Sequence, residues 1–166
     1  MSAIQLYENN LRRALKSKRP IIHIETYDYD WEYKTINKIL AQNAILGKYS
    51  ANHINFNDRY RWTPNLHYQM DNGKTSPLVV PAGGNEIVEL LDNFIGLDSP
   101  SLLVVFDIAY FLDGETEPGI DACAIRSSII SRLFSFYSEQ DRPDKSIDDR
   151  SVIILLCPKF GIPPEL

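Results

Sequence analysis

Three short runs constrain the fold of this 166-residue chain more than any other feature: Ile21–Glu25, Leu102–Phe106 and Val152–Cys157. Each is almost continuously apolar, so a strand built from it has no polar side to turn to water. Such runs suit parallel sheets, whose strands are covered on both faces. None approaches the roughly 20 apolar residues that a membrane-spanning helix requires. Between the runs, apolar residues recur at helical spacing. Ile4, Tyr7, Leu11, Ala14 and Leu15 mark an opening helix that Pro20 stops. Ile36, Ile39, Leu40 and Ala44 mark a second helix over Trp31–Leu46, with Gly47 as its C-terminal cap. Ile87, Leu90, Leu91, Phe94 and Ile95 mark a third, capped by Asn85 and ended by Gly96. A fourth covers Ile120–Gln140, with Cys123, Ser127, Ile130, Leu133, Phe134 and Tyr137 as its inward stripe. Strands alternating with helices predict an α/β fold. The expectation is a three-layer α/β/α domain with a mainly parallel sheet of the RecA or P-loop kind and right-handed crossovers.

The length fits a single domain over residues 1–166. A composition 44% hydrophobic and 23% charged excludes a disordered tail or a collagen-like repeat. The net charge of −5 argues against nonspecific nucleic-acid binding by the whole surface. Cys123 and Cys157 fall on apolar faces and read as free core thiols of a reducing, cytoplasmic protein. No secretory signal is expected, because Glu8, Arg12 and Arg13 interrupt the N-terminus before an apolar segment forms. His23 lies within the first apolar run and reads as a hydrogen-bonded core histidine. A further strand is expected over Asn52–Asn57, where Ile54 and Phe56 alternate with polar residues as on a sheet edge. Residues 58–84 read as an inserted hairpin, because Asn72-Gly73 sits between Leu66–Met70 and Ser76–Val80.

In a nucleotide-binding domain of this order, the loop after the first strand cradles phosphate. Glycines let backbone N–H groups approach the phosphates, and a Lys-Ser/Thr pair supplies charge and a magnesium ligand. The corresponding residues here are Asp28-Tyr29-Asp30-Trp31-Glu32-Tyr33-Lys34-Thr35. Lys34 and Thr35 occupy the Lys-Thr positions, but Asp28 and Tyr33 stand where glycines belong. Asp28, Asp30 and Glu32 also satisfy the helix dipole that a phosphate would use, and they repel a polyphosphate. Leu102–Phe106 followed by Asp107 has the form of a magnesium-binding strand end, yet Ile108 stands where a water-orienting acid belongs. The last strand ends in Cys157-Pro158, without a polar sensor of a γ-phosphate. Lys34, Thr35 and Asp107 are therefore the degenerate remnants of a nucleotide site, and no cofactor is expected in this chain. His23, His53 and His67 lack metal-ligand spacing, so no metal site is expected either. Two surfaces could instead meet a partner. One is the basic helix end with Arg12, Arg13 and Lys16, alternatively just a solvated and well-capped terminus. The other is Arg59-Tyr60-Arg61-Trp62, which interleaves cations with aromatics as single-strand nucleic-acid grooves do, or else packs as a strand end. A hydrolase using Asp107 with Glu115 and Glu117 lacks a recognisable base, nucleophile or metal set.

The chain resembles the N-terminal domain of AAA+ ATPases of the "hypothetical chloroplast reading frame" type, found in bacteria, cyanobacteria and algal plastids. The likeness rests on Arg19-Pro20-Ile21-Ile22-His23-Ile24-Glu25-Thr26, on Leu102–Asp107 followed by Tyr110-Phe111-Leu112, and on Ser151–Leu166 with its closing Ile162-Pro163-Pro164-Glu165-Leu166. The resemblance implies a degenerate, RecA-like domain ahead of a separate AAA+ motor beyond residue 166. ATP and magnesium would bind in that motor, and no catalytic residue carries over to this chain. Its partners would be its own C-terminal AAA+ module and a protein client or further copies of itself. Nucleic acid is the less favoured alternative, and no membrane contact is implied.

Overall fold

A computed structural model describes residues 2–46, 54, 56–63, 67–70, 86–108 and 122–158, with side chains described for all of these except 43–46, 67–70, 86, 122 and 123. The helices are α1 (Ala3–Lys16), α2 (Tyr29–Leu46), α3 (Glu86–Ile95) and α4 (Ala122–Gln140). The strands are β1 (Ile21–Glu25), β2 (Asp58–Thr63), β3 (His67–Met70), β4 (Ser101–Phe106) and β5 (Val152–Cys157). They form one sheet in the order β1-β5-β4-β2-β3. β1, β5, β4 and β2 run parallel, and β3 adds an antiparallel edge. The expected α/β class with a mainly parallel, helix-covered sheet is therefore present. No helix among the described residues is long and apolar enough to cross a membrane.

Burial explains the layers. Every residue of β4 and β5 is buried. Leu102, Val104 and Phe106 of β4, with Val152, Ile154 and Leu156 of β5, pack against Leu11 and Leu15 of α1 and Tyr33, Ile36 and Ile39 of α2. The alternate residues Leu103, Val105, Ile153, Leu155 and Cys157 pack on the other face against α3 and α4. Each fully buried aliphatic side chain contributes about 1.5–3 kcal/mol relative to exposure, so these two strands carry much of the core. The connection from β1 through α2 to β2 steps across the sheet in one direction. Those through α3 and α4 step back, with their helices on the opposite face, as right-handed crossovers require. Ser2 and Gln5 form a reciprocal capping box that fixes the start of α1.

Several expectations are corrected. Among the described residues β1 is an edge strand rather than a buried central one, because it pairs there with β5 alone, and only Ile24 in it is buried. His23 is accordingly exposed, with its Nε2 3.2 Å from Cys157 Sγ, and is not a core histidine. The second strand begins at Asp58, after the expected Asn52–Asn57, and it lies inside the sheet between β4 and β3. Ile54 is buried and Phe56 half-buried ahead of it. His67–Met70 is a strand, but it pairs with β2 through Thr63↔His67 and Tyr60↔Met70. The expected turn at Asn72-Gly73 and its partner strand lie outside the described residues, as does Asn85. On α4 the inward stripe is Ile125, Ile129, Leu133 and Phe136, which leaves Ser127, Phe134 and Tyr137 exposed. That helix carries two apolar stripes, and the one from Ile125 to Phe136 packs over the sheet.

Of the two readings of Arg59-Tyr60-Arg61-Trp62, the structure shows the packed strand for its rings. The alternation is that of a strand with two different faces. Tyr60 is 0% and Trp62 3% exposed, and Tyr60 meets Phe94 edge-on at 6.2 Å between ring centroids. Neither ring can anchor a partner at the surface. We expect Trp62→Ala to cost about 3–5 kcal/mol in urea unfolding, the range for losing a large core aromatic. A change below about 0.5 kcal/mol would return Trp62 to the surface.

Candidate functional site

In open α/β sheets, ligands bind in the crevice outside the carboxyl ends of the strands, where successive connections leave toward opposite faces. Here the loop after β1 leads to α2 on one face, and the chain after β4 leads to α4 on the other. The end of β5 lies between them and ties both down. Thr26 N–H donates to the Cys157 carbonyl at 3.1 Å, and Asp107 N–H to the Leu156 carbonyl at 2.8 Å.

The first loop is closed by its own side chains. The Thr26 hydroxyl accepts from Asp28 N–H at 3.0 Å, and the Asp28 carboxylate accepts from Trp31 N–H at 3.1 Å. Asp28 thus caps α2 and occupies the N–H group that a phosphate would seek. Asp30 and Glu32 add negative charge to the same first turn, where each carboxylate is favourable by about 0.3–1 kcal/mol. Glu32 is buried and accepts the Tyr7 hydroxyl, which clamps α1 onto α2. Burial, then this carboxylate, raises the Tyr7 pKa.

Aromatic rings pack beside this loop. Tyr29 and Tyr33 both pack on Phe106, with ring centroids 5.8 and 5.5 Å away. The Arg61 guanidinium lies 4.9 Å over the Tyr33 ring. The Tyr29 hydroxyl is hydrogen-bonded to the Asp107 carboxylate, and burial followed by that carboxylate's charge raises the Tyr29 pKa. Asp107 itself has φ 57, a left-handed conformation that Asp tolerates better than most residues. This geometry turns the carboxylate at the end of β4 toward a tyrosine.

Lys34, Thr35 and Asp107 have separate surroundings. α2 begins at Tyr29, two residues before the expected Trp31, so Lys34 and Thr35 fall in its second turn. Lys34 is exposed. Thr35 is buried and donates to the Trp31 carbonyl at 2.9 Å, within the helix. The basic residues are likewise dispersed. Arg12 bonds Asn9 at 3.0 Å and Gln42 at 3.1 Å, and Arg59 reaches Asn37 at 3.5 Å. Arg12 and Arg59 thus each engage the polar side of α2. Arg13 is exposed and Lys16 half-buried on α1. Among the described residues, no group of three or more His, Cys, Asp or Glu side chains could hold a metal ion.

Sequence reasoning missed Lys18, which belongs to the basic helix end but is only 2% exposed. It adopts φ 47, and its ammonium donates to the Asp148 carbonyl at 2.9 Å while lying 4.7 Å over the Phe56 ring. Lys18 therefore pins three loops at the amino edge of the sheet, opposite the candidate site. A basic residue one position short of Arg19-Pro20 gave no sign of this. His23 shows the same physics more weakly: partial burial lowers its pKa, against the opposing pull of Glu25.

No family model, curated protein or solved structure matches the chain.

Burial lowers the Lys18 pKa to about 8, against the opposing charges of Asp148 and Asp149. The unfolded value is about 10.4. Between these values the unfolded Lys18 holds more proton than the folded one, so its contribution to stability rises with pH. We expect the urea midpoint of the chain to gain on that of Lys18→Met from pH 8 to about 9.5, below the range where unfolded tyrosines ionise. An identical slope in the variant would contradict this.

Proposed function

We propose that this chain is a non-catalytic, RecA-like domain of an AAA+ type ATPase, acting in partner recognition or in assembly and regulation of a motor that lies elsewhere in the same protein. ATP and magnesium would bind in that motor and not here. The observation that carries the reading is Asp28. Its carboxylate caps the helix terminus at which a P-loop would hold phosphate, while Lys34 and Thr35 are carried into the second turn of α2. Asp107, the remnant of a magnesium-binding strand end, is engaged by Tyr29. A scaffold with its catalytic edge filled by its own side chains has binding left as its work.

The partner surface differs from the one expected from sequence. Tyr60 and Trp62 supply core, whereas Tyr27 is 81% and Trp31 41% exposed beside the filled edge. Large exposed aromatics are enriched as interface anchors. The alternative of a single-strand nucleic-acid module loses its stacking rings with the burial of Tyr60 and Trp62. Calorimetric titration of the chain with ATP and magnesium tests the reading. We expect no binding heat up to millimolar nucleotide, and a submillimolar Kd would overturn the claim of a filled site.

A further inference from the structure

The apolar stripe of α1 runs past the helix that covers it. Leu11 and Leu15 are buried and Tyr7 is half-buried, yet Ile4, one turn earlier on the same stripe, is 58% exposed. The two helices run side by side in the same direction, since Tyr7 meets Glu32 and Arg12 meets Gln42. Tyr7 is thus already level with the first turn of α2, which begins at Tyr29, and Ile4 projects beyond it. The Trp31 ring, 6.0 Å from that of Tyr7 between centroids, extends this open end. Tyr27, also exposed, lies in the loop that leads into it.

The backbone beneath these rings is held. Thr26 N–H donates to the Cys157 carbonyl, Asp28 N–H to the Thr26 hydroxyl, and Trp31 N–H to Asp28 Oδ1. A partner that docks here meets a preformed surface and does not have to order the loop, which lowers the cost of binding.

Charge states what kind of partner fits. No Lys or Arg lies between Arg19 and Lys34, whereas Glu25, Asp28 and Asp30 are all exposed. Among the described residues none of these three carboxylates forms an ion pair, and neither does Lys34. Such a corner repels nucleic acid, anionic lipid and acidic peptides. A guanidinium suits both of its features, because it stacks on an indole face and forks onto a carboxylate. The compact, strongly hydrated ammonium of lysine does neither as well. We propose that this corner docks an arginine-bearing segment of a partner protein, with a guanidinium on Trp31 beside the Asp28 carboxylate and an aliphatic side chain on Ile4. The inference rests on reading Tyr27 and Trp31 as the partner surface and names the chemistry of what they bind.

The probe is a blocked pentapeptide alternating arginine and leucine, titrated into the isotope-labelled chain and followed by NMR. The chain has two tryptophans, and Trp62, buried in the core, is the internal reference for Trp31. We expect the Trp31 indole N–H signal to move saturably with a Kd of about 1 mM or below, and the Trp62 signal to stay. Binding should weaken about three-fold or more as salt rises from about 0.05 to 0.5 M. Asp28→Asn keeps a capping acceptor but removes the charge, and should weaken binding by a similar factor. Trp31→Ala, read at the Tyr27 amide, should abolish it while the Trp62 signal shows the core intact. No saturable shift, or unchanged binding by Trp31→Ala, would overturn the proposal. Equal binding of the same peptide with glutamate for arginine would overturn it too, while leaving Tyr27 and Trp31 as a partner surface. Titration with ATP tests the non-catalytic reading separately, so the two can fail independently.

Discussion

The backbone of β5 is the constraint on which the rest of the domain depends. Its six residues are buried, and it pairs with β1 on one side and β4 on the other. Its last two carbonyls hold the loops that leave both neighbours, through Thr26 and Asp107. An unpaired buried carbonyl or N–H costs about 1–3 kcal/mol, so these bonds fix the path of each loop over its first residues. The direction in which Asp28 and Asp107 present their carboxylates follows from that path.

With the two loops fixed, the described side chains at the carboxyl ends of β1 and β4 engage one another. Asp28 satisfies the helix terminus, Asp107 takes the Tyr29 hydroxyl, and Tyr29 and Tyr33 stack on Phe106. Each link is modest, about 0.5–2 kcal/mol for a cap or a ring pair. Together they compete with any ligand for the same donors and the same space. The negative charge of Asp28, Asp30 and Glu32 adds an electrostatic barrier to polyphosphate that backbone rearrangement alone would not remove.

How much of this was legible depended on whether a residue's role was set locally. The runs of β4 and β5 announced buried strands because no face of them tolerates water. The run of β1 is interrupted by His23 and Glu25, yet its place at the edge is decided by which strand pairs with it, and a local run does not encode that. Asp28 was legible as a carboxylate at a helix start, a local feature. The Arg59–Trp62 alternation was visible but ambiguous, since charge against aromatic describes both a binding groove and a strand with a core face and a polar face. On α4 two stripes competed, and only the packing over the sheet selects Ile125, Ile129, Leu133 and Phe136. The Tyr29–Asp107 and Lys18–Asp148 contacts join residues far apart in the chain, so no local pattern could announce them.

The central claim is that the Asp28 carboxylate already holds a helix-terminal donor that a phosphate would use. It is tested most directly by following the backbone amide of Trp31, whose N–H the Asp28 carboxylate accepts, by NMR while pyrophosphate is added at constant ionic strength. The account expects this resonance to stay in place, and to become responsive only when Asp28→Ala frees the helix terminus. A saturable shift in the unaltered chain at millimolar pyrophosphate would contradict it.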